Sequence, residues 1–349
     1  MARPVDDGFY MPAEWAPHAR TWMAWPAREE LWGEGIEEAC DAYAEVAKAI
    51  AHFEPVTMIS NPVAVAEVSI KCGAGVSAVP MEHDDSWIRD SGPTYLVDGK
   101  GGLAAVDWTF NAWGERYQPY AKDAKLAQAI LEQHEVRRYA TDLVTEGGAL
   151  HVDGEGTLLA VRDTLLNDNR NPGRSLAEIE EILQAHTGAR KVVWLPGGLT
   201  GDETDGHVDN VACFVAPAKV LALSTDDPDD ANYEALQANL EVLRGETDAA
   251  GRPLEVVEVR QPKARYLPDG TRMALSYVNF YFTNGGIVLP SFEDSADDRA
   301  FDLFETLFPD RKIVQIPALD IIRGGGGIHC ITQQQPAVEA PAPERDDVR

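Results

Sequence analysis

Cys330 follows a run of four consecutive glycines, Gly324 to Gly327, toward the C-terminal end of this chain. Glycine lets a backbone approach a ligand closely and adopt positive φ angles without steric cost. A thiol placed just after such a run would meet little side-chain bulk from its neighbours. This string alone leaves two interpretations open, a reactive thiol and a buried structural cysteine beside a flexible turn.

A second string, Asp205 to Asn210, contains the histidine His207 and the carboxylate Asp209. Residues at this spacing share one side of an extended strand, so we expect both side chains to face the same way. A cysteine, a histidine and a carboxylate from distant parts of a chain are what cysteine nucleophilic catalysis requires. The string therefore favours a reactive thiol at Cys330, with an exposed polar pair as the alternative.

Other glycine-marked polar strings supply further carboxylates and one large aromatic residue. Trp87 and Asp90 lie in the string from Asp84 to Pro93, Glu146 precedes two glycines, and Glu203 stands shortly before His207. Each also has a structural interpretation: a local ion pair for Asp90, a hairpin cap for Glu146 and a solvated loop for Glu203.

A pocket that gathered these side chains would have a definite chemical preference. Carboxylates pair with a planar guanidinium through two-pronged hydrogen bonds, which fix the plane of the group as well as its charge. A thiolate held over that plane could attack the central carbon. A histidine could then protonate the departing amine and afterwards activate water.

The elements that must position these strings repeat five times along the chain. Each repeat has apolar residues at helical spacing, then a β-rich run, with hairpin-like stretches between repeats. This pattern predicts an α/β protein with a loose fivefold helix–strand repeat, and an α/β sheet with irregular insertions is the alternative. In a closed ring, Thr21–Trp25 would pair with Ile331–Gln334. The five β-rich runs are Val56–Ile59, Val136–Tyr139, Val192–Leu195, Leu254–Val259 and Ile313–Ile316.

The composition indicates which partners the protein can bind and in which compartment it resides. Of 349 residues, 44% are hydrophobic and 25% charged, and the formal charge of −28 disfavours binding to nucleic acid or anionic membrane and favours a cationic substrate. The N-terminal stretch does not resemble an export signal, and the four cysteines are scattered, so we expect a cytoplasmic protein. We predict one catalytic domain over residues 1–336 and a disordered tail over 337–349. The sequence leaves the oligomeric state open, a homo-oligomer included.

Five ordered motifs between about Met11 and Gln335 resemble the agmatine deiminases and the related bacterial peptidyl-arginine deiminases. The resemblance implies the pentein fold, a five-bladed α/β propeller. It also implies hydrolysis of agmatine to N-carbamoylputrescine and ammonia, a step toward putrescine, with no metal and no organic cofactor. The motifs are Met11–Trp15 with Thr21–Pro26, Trp87–Asp90, Glu146–Gly148, Glu203–Asn210 and Gly325–Gln334.

The same resemblance assigns roles to individual residues. Cys330 would be the nucleophile and His207 the general acid and base. Asp90 and Asp209 would clamp the guanidinium, and Glu146 would orient His207.

Further positions would form the rest of the pocket. Glu203 would lie near the far amine of the substrate, and Trp87 would help to wall the cavity. The family usually has asparagine where this chain has Gly327, which predicts greater backbone freedom beside the nucleophile.

Other functions remain to be weighed against this one. A phosphate site at Gly324–Gly327 is disfavoured because no Lys-Ser or Lys-Thr pair follows. A zinc site from His207, His329 and Cys330 is disfavoured because the last two would face opposite sides of an extended backbone. The remaining alternatives are a deiminase of another guanidino compound or of peptidyl-arginine, and an amidinotransferase.

Overall fold

The computed structural model describes residues 2–338, in which sixteen strands form five separate sheets. Six helices of eight or more residues accompany them: α1 (Ile36–Ala51), α2 (Val65–Cys72), α3 (Leu126–Gln133), α4 (Leu176–Thr187), α5 (Tyr233–Gly245) and α6 (Asp297–Leu307). The strands are β1 (His18–Ala24), β2 (Val56–Ser60), β3 (Val76–Pro80), β4 (Thr94–Val97), β5 (Leu103–Thr109), β6 (Arg137–Val144), β7 (His151–Val152), β8 (Thr157–Val161), β9 (Lys191–Leu195), β10 (Ala212–Ala216), β11 (Lys219–Ser224), β12 (Glu255–Arg260), β13 (Tyr281–Thr283), β14 (Gly286–Ser291), β15 (Lys312–Pro317) and β16 (Gln333–Pro336).

Each sheet is one copy of the same unit. Two antiparallel strands are followed by a helix and then by a third strand that runs parallel to the second, as in β7, β8, α4 and β9. The other three-stranded sheets have the orders β4-β5-β6, β10-β11-β12 and β13-β14-β15. The predicted five-bladed α/β propeller is therefore confirmed, and its blades are numbered one to five from β1.

The first blade takes strands from both ends of the chain. β1 pairs with β16 in antiparallel fashion, with Thr21 opposite Gln334 and Trp22 opposite Gln333, as the sequence predicted. The helices of blades three to five pack on their own blade and also on the one before it: α4 contacts β6, α5 contacts β9 and α6 contacts β12. Helix α1 of the first blade contacts β14 and β15 of the fifth, which completes the ring.

Local sequence explains where the helices lie and end. Helix α4 begins with a capping box, in which the Ser175 side chain accepts from the Glu178 N–H and the Glu178 carboxylate accepts from the Ser175 N–H. It ends at Gly188, whose φ of 77° is the left-handed conformation that closes many helices. In α1 the apolar residues Tyr43 and Ile50, which lie at helical spacing, are fully buried, whereas Ile36 at the start of the helix is only partly buried.

The first blade also carries an insertion that the sequence did not predict. Helix α2 and strand β3 extend this sheet to four strands, in the order β16-β1-β2-β3. In α2 only Val68 and Cys72 are buried, whereas the apolar Ile70 is 82% exposed. The apolar pattern of α2 therefore does not follow its buried face, which is why periodicity missed it.

The disordered tail predicted for residues 337–349 falls mostly on residues 339–349, which lie outside the described residues. Within residues 2–338, no helix is long and apolar enough to cross a membrane.

Candidate active site

Five connecting segments meet at one end of the ring, each leading into the first strand of an antiparallel pair. Asp90 lies in the short helix Ile88–Ser91 before β4, and Glu146 lies just before the 3₁₀ turn that leads to β7. His207 and Asp209 precede β10, Asn279 precedes β13 and Cys330 precedes β16. The fold thus brings together all five predicted catalytic residues, and it adds an asparagine from the fourth connection.

The conformation around His207 differs from the expected strand. His207 precedes a 3₁₀ turn, Val208–Asn210, and Asp209 lies inside that turn. The strand begins only at Ala212, because the backbone first turns to carry the polar side chains beneath the pocket. The prediction that the two residues alternate along a strand was therefore wrong, although both side chains reach the same site.

Gly148 marks the place where three of these side chains converge. A Cβ atom at this position would lie 2.6 Å from His207 Nδ1, 2.9 Å from Asp209 Oδ2 and 3.0 Å from Asp90 Oδ1. Any side chain here would collide with the three groups, so the close approach requires glycine. The Gly148 N–H also donates to Asp90 Oδ1 over 2.9 Å.

The thiol of Cys330 is buried beside the Asn279 amide and the Asp209 carboxylate. Asn279 Nδ2 lies 3.3 Å from Sγ and Asp209 Oδ2 lies 3.7 Å from it. Burial raises the pKa of Cys330 well above its usual range, and Asp209 and Asp90 add to this effect. The raised pKa keeps the Cys330 thiol neutral near pH 7.

The absence of a side chain at Gly327 leaves space for the Asn279 side chain. A Cβ atom at Gly327 would lie only 2.4 Å from Asn279 Oδ1. That oxygen accepts from the His329 N–H over 2.9 Å, while the Gly327 N–H and Asn279 both oppose the rise in the Cys330 pKa. The space freed by the glycine is therefore occupied, and the nucleophile turn is held by Asn279.

His207 is fully buried and is held from behind by a second carboxylate. Its Nε2 lies 3.2 Å from Glu146 Oε2, and Arg170 Nε donates to Glu146 Oε1 over 2.6 Å. Burial alone would lower the pKa of His207, but Asp90, Glu146 and Asp209 together raise it to about 9. The ring is therefore an imidazolium near pH 7, and its Nδ1, near Asp90 and Asp209, has no hydrogen-bond partner among the described residues.

Asp90 is fixed by an unusual stretch of backbone. Ala112, Trp113, Gly114 and Glu115 all have positive φ angles, of 53°, 55°, 85° and 60°, and so form a left-handed turn. Such a run is sterically costly for residues other than glycine and is typical of functional sites. It points Trp113 Nε1 at Asp90 Oδ2, with a hydrogen bond of 2.9 Å.

The cavity above these groups is closed on its sides by aromatic rings. Trp87, predicted to wall the pocket, stacks on Trp32 with a ring-centroid distance of 5.9 Å. Glu203 lies at the mouth, half-buried, and accepts a hydrogen bond from the Tyr117 hydroxyl. The lining residues are Trp87, Asp90, Trp113, Tyr117, Glu203, Thr204, Gly324, Gly325, Gly326 and Cys330.

Sequence reasoning missed several residues of the site. Asn279 could have been found, because a fivefold repeat with only four polar strings predicts a string before β13. Arg170, Trp113 and Tyr117 lie outside the polar strings singled out in the sequence, and nothing local predicted their contacts. Within the part of the chain that the structure describes, no group of three or more histidine, cysteine and carboxylate side chains is placed to hold a metal ion.

The chain is similar in sequence and fold to proteins of known name. The model of the Porphyromonas-type peptidyl-arginine deiminase family matches residues 10–336. An agmatine deiminase of Pseudomonas aeruginosa (strain LESB58) is 46% identical over 357 residues, covering 96% of this chain and 97% of the relative. One from Stutzerimonas stutzeri is 45% identical over 361 residues, with 96% and 97% covered. The solved agmatine deiminase of Enterococcus faecalis superimposes with a TM-score of 0.93 at 38% identity, covering 97% of this chain and 98% of that one.

Proposed function

The chain belongs to the Porphyromonas-type peptidyl-arginine deiminase family, and on this premise we propose that it is an agmatine deiminase. It hydrolyses the guanidinium of agmatine to N-carbamoylputrescine and ammonia, through a covalent intermediate on Cys330. The observation that carries this proposal is a buried thiol 3.7 Å from an Asp209 carboxylate oxygen, in the same site as the His207 imidazolium, whose Nδ1 has no hydrogen-bond partner within residues 2–338. Relatives at 45% identity or more over nearly the whole chain carry the same activity in their names.

A bound substrate places a positive charge directly beside the Asp90 and Asp209 carboxylates. Asp90 and Asp209 raise the pKa of Cys330, and burial also raises the pKa of Asp90 itself. A guanidinium bound between the two carboxylates offsets their charge and favours the thiolate. When the correct cation is in place, the Cys330 thiol therefore gives up its proton to solvent and becomes the nucleophilic thiolate.

The first half-reaction transfers the amidino carbon to sulfur. The thiolate of Cys330 attacks the guanidinium carbon and forms a tetrahedral adduct. As one C–N bond breaks, the His207 imidazolium gives its proton to the leaving nitrogen, which departs as ammonia. The product is an S-linked amidine on the enzyme, with His207 now neutral.

The second half-reaction returns the enzyme to its starting state. Neutral His207 accepts a proton from a water molecule that attacks the same carbon, and the C–S bond then breaks. N-carbamoylputrescine leaves, and Cys330 is released as the thiol after it regains a proton. Glu146, paired with Arg170, keeps the imidazole oriented through both steps.

Glu203 and Tyr117 select the tail of the substrate. Agmatine carries a second cation at its far end, and Glu203 offers a carboxylate at the cavity mouth. Arginine would bring its own carboxylate toward Glu203, and this like-charge contact disfavours it. Between the mouth and Cys330 the cavity is lined by the aromatic side chains of Trp87, Trp113 and Tyr117, which offer apolar surface to the alkyl chain of the substrate.

Ammonia release tests the proposal across agmatine, free arginine, arginyl peptides and simple alkylguanidines, with carbamoyl products identified by mass spectrometry. We expect agmatine to have the highest kcat/KM. A preference for arginyl peptides would favour the peptidyl-arginine activity, and amidine transfer to an added amine without ammonia release would favour an amidinotransferase.

A further inference from the structure

His329, next to the nucleophile, bridges two buried carboxylates that come from opposite ends of the chain. Its Nδ1 lies 2.9 Å from Asp209 Oδ2, and its Nε2 lies 2.9 Å from Glu14 Oε1. All three side chains are nearly inaccessible to solvent. The expectation that His329 points away from Cys330 was wrong, because both residues lie in a turn before β16 rather than on an extended strand.

Both ring nitrogens of His329 face oxygen atoms that can only accept. An ionised carboxylate has no proton to donate, so each nitrogen contributes an N–H and the ring is an imidazolium. Burial and Arg89 lower the pKa of His329, but Glu14 and Asp209 outweigh them and raise it. Burial raises the pKa of Glu14, but His329, His151 and Arg89 together hold it well below its usual value.

The hydrogen bond from His329 restricts what Asp209 can do. Oδ2 of Asp209 is engaged by the imidazolium and lies 3.7 Å from Cys330 Sγ. Oδ1 is buried and has no hydrogen-bond partner among the described residues. A buried carboxylate oxygen without a partner is costly in an empty site, and a guanidinium N–H would satisfy it.

Glu14 is itself anchored independently of His329. Arg89 Nη1 lies 3.4 Å from Glu14 Oε1, and His151 Nε2 lies 3.5 Å from Glu14 Oε2. Arg89 Nε also donates to the His329 carbonyl oxygen over 3.3 Å. The backbone of the nucleophile turn is thus held by Arg89 and Asn279, whichever side chain stands at position 329.

We propose that His329 is a positioning residue for the guanidinium clamp. It holds Asp209 by Oδ2, is itself held by Glu14, and leaves Oδ1 of Asp209 as the acceptor for the substrate. This inference rests on the proposed function, because it takes Asp209 to bind a guanidinium.

Two conservative variants separate the two contacts of the ring. In His329→Asn the amide nitrogen falls near the position of Nδ1 and can still donate to Asp209. In His329→Gln the amide nitrogen falls near Nε2 and can donate only to Glu14. Both variants are polar, and both remove one charge from the same buried network, so each is the control for the other.

We expect His329→Gln to weaken guanidinium binding by about tenfold to a hundredfold, the usual effect of losing a hydrogen bond to a charged group. His329→Asn should recover most of that loss. Binding is measured by calorimetry in the Cys330→Ser background, where no turnover occurs, and KM and kcat are measured with the active enzymes. Thermal unfolding of each variant reports whether the fold is retained.

A double-mutant cycle with Asp209→Asn gives the decisive comparison. If His329 acts through Asp209, His329→Gln should cause little further loss once Asp209 is changed. Equal losses in the Asn and Gln variants, or a full additional loss in the Asp209→Asn background, would overturn the proposal. Unchanged binding in His329→Gln would overturn it as well.

Activity of the wild-type enzyme on agmatine tests the proposed function separately from the role of His329. No ammonia from agmatine would refute the proposed function by itself. The His329 series uses whichever guanidino compound the wild-type enzyme hydrolyses fastest, so its result does not depend on agmatine being that compound.

Discussion

The two ends of the pocket are built in different ways. At the floor, around Cys330, the groups are buried, and His207, Asp90 and Asp209 each have at least one fixed neighbour. At the mouth, Glu203 and Tyr117 are half-buried, come from irregular segments and contact each other directly. The floor is therefore preorganised, whereas the mouth depends on loops.

Because of this difference, we expect the floor to determine the rate of the reaction and the mouth to determine which substrates are preferred. A buried array of charges acts strongly on a guanidinium because little water screens it, and it needs no rearrangement during the reaction. A half-exposed carboxylate at the mouth interacts more weakly, and loop changes could alter it without disturbing the floor. We therefore expect changes at the floor to affect every guanidino substrate and changes at the mouth to affect only those with a cationic tail.

Removing the nucleophile should have the largest effect. Cys330→Ser should lower kcat by on the order of 10⁴-fold or more for agmatine and for a tail-less alkylguanidine alike, because no covalent path remains. Mass spectrometry of quenched wild-type enzyme should show an amidine-derived mass on the Cys330 peptide. Substantial turnover by the serine variant would sink the covalent mechanism.

Changing the carboxylate behind His207 should have the next largest effect. Glu146→Gln should lower kcat by about a hundredfold for both substrates, because the His207 imidazolium loses the negatively charged acceptor that orients and stabilises it. Arg170 also loses its charged partner, so thermal unfolding should be measured in parallel. A loss confined to agmatine would contradict the division between floor and mouth.

Glu146→Gln should also change how kcat/KM depends on pH. In the wild-type enzyme, kcat/KM should fall as the pH rises through about 9, where the His207 imidazolium loses its proton. Glu146 is one of the groups that raise this pKa, so its replacement should move the alkaline limb to lower pH. An unchanged limb would mean that a group other than His207 controls it.

The sequence predicts the floor of the pocket better than its mouth. The floor residues Cys330, His207, Asp90 and Glu146 stand in strings that follow predicted strands, and a repeat places such strings together. The mouth depends on a contact between Tyr117 and Glu203, which lie far apart in the sequence, and the segment of Tyr117 has no apolar periodicity that would predict this contact. His329 was set aside because the string was taken to be extended, and only its contacts with Glu14 and Asp209 revealed its position.

Changing the mouth should have a smaller effect that depends on the substrate. Glu203→Gln should raise KM for agmatine by about tenfold, the lower end for a charged hydrogen bond, and change turnover of a tail-less alkylguanidine little. Comparing kcat/KM for both substrates with both proteins tests this. Equal losses would show that Glu203 supports the floor, and no loss on either would return it to a solvated loop.

The smallest effect should come from removing metal ions. Asp90 already accepts from Gly148 and Trp113, and the imidazolium side chains of His207 and His329 lie close to the floor carboxylates. A divalent cation there would be repelled by both rings and would compete with the guanidinium for the same oxygens. We therefore expect EDTA and dialysis to leave kcat/KM unchanged for agmatine and for the tail-less substrate. If kcat/KM fell for both substrates and one specific metal restored it, this would indicate metal-assisted hydrolysis. Loss on agmatine alone would instead place an ion near Glu203 and leave the chemistry of the floor as described.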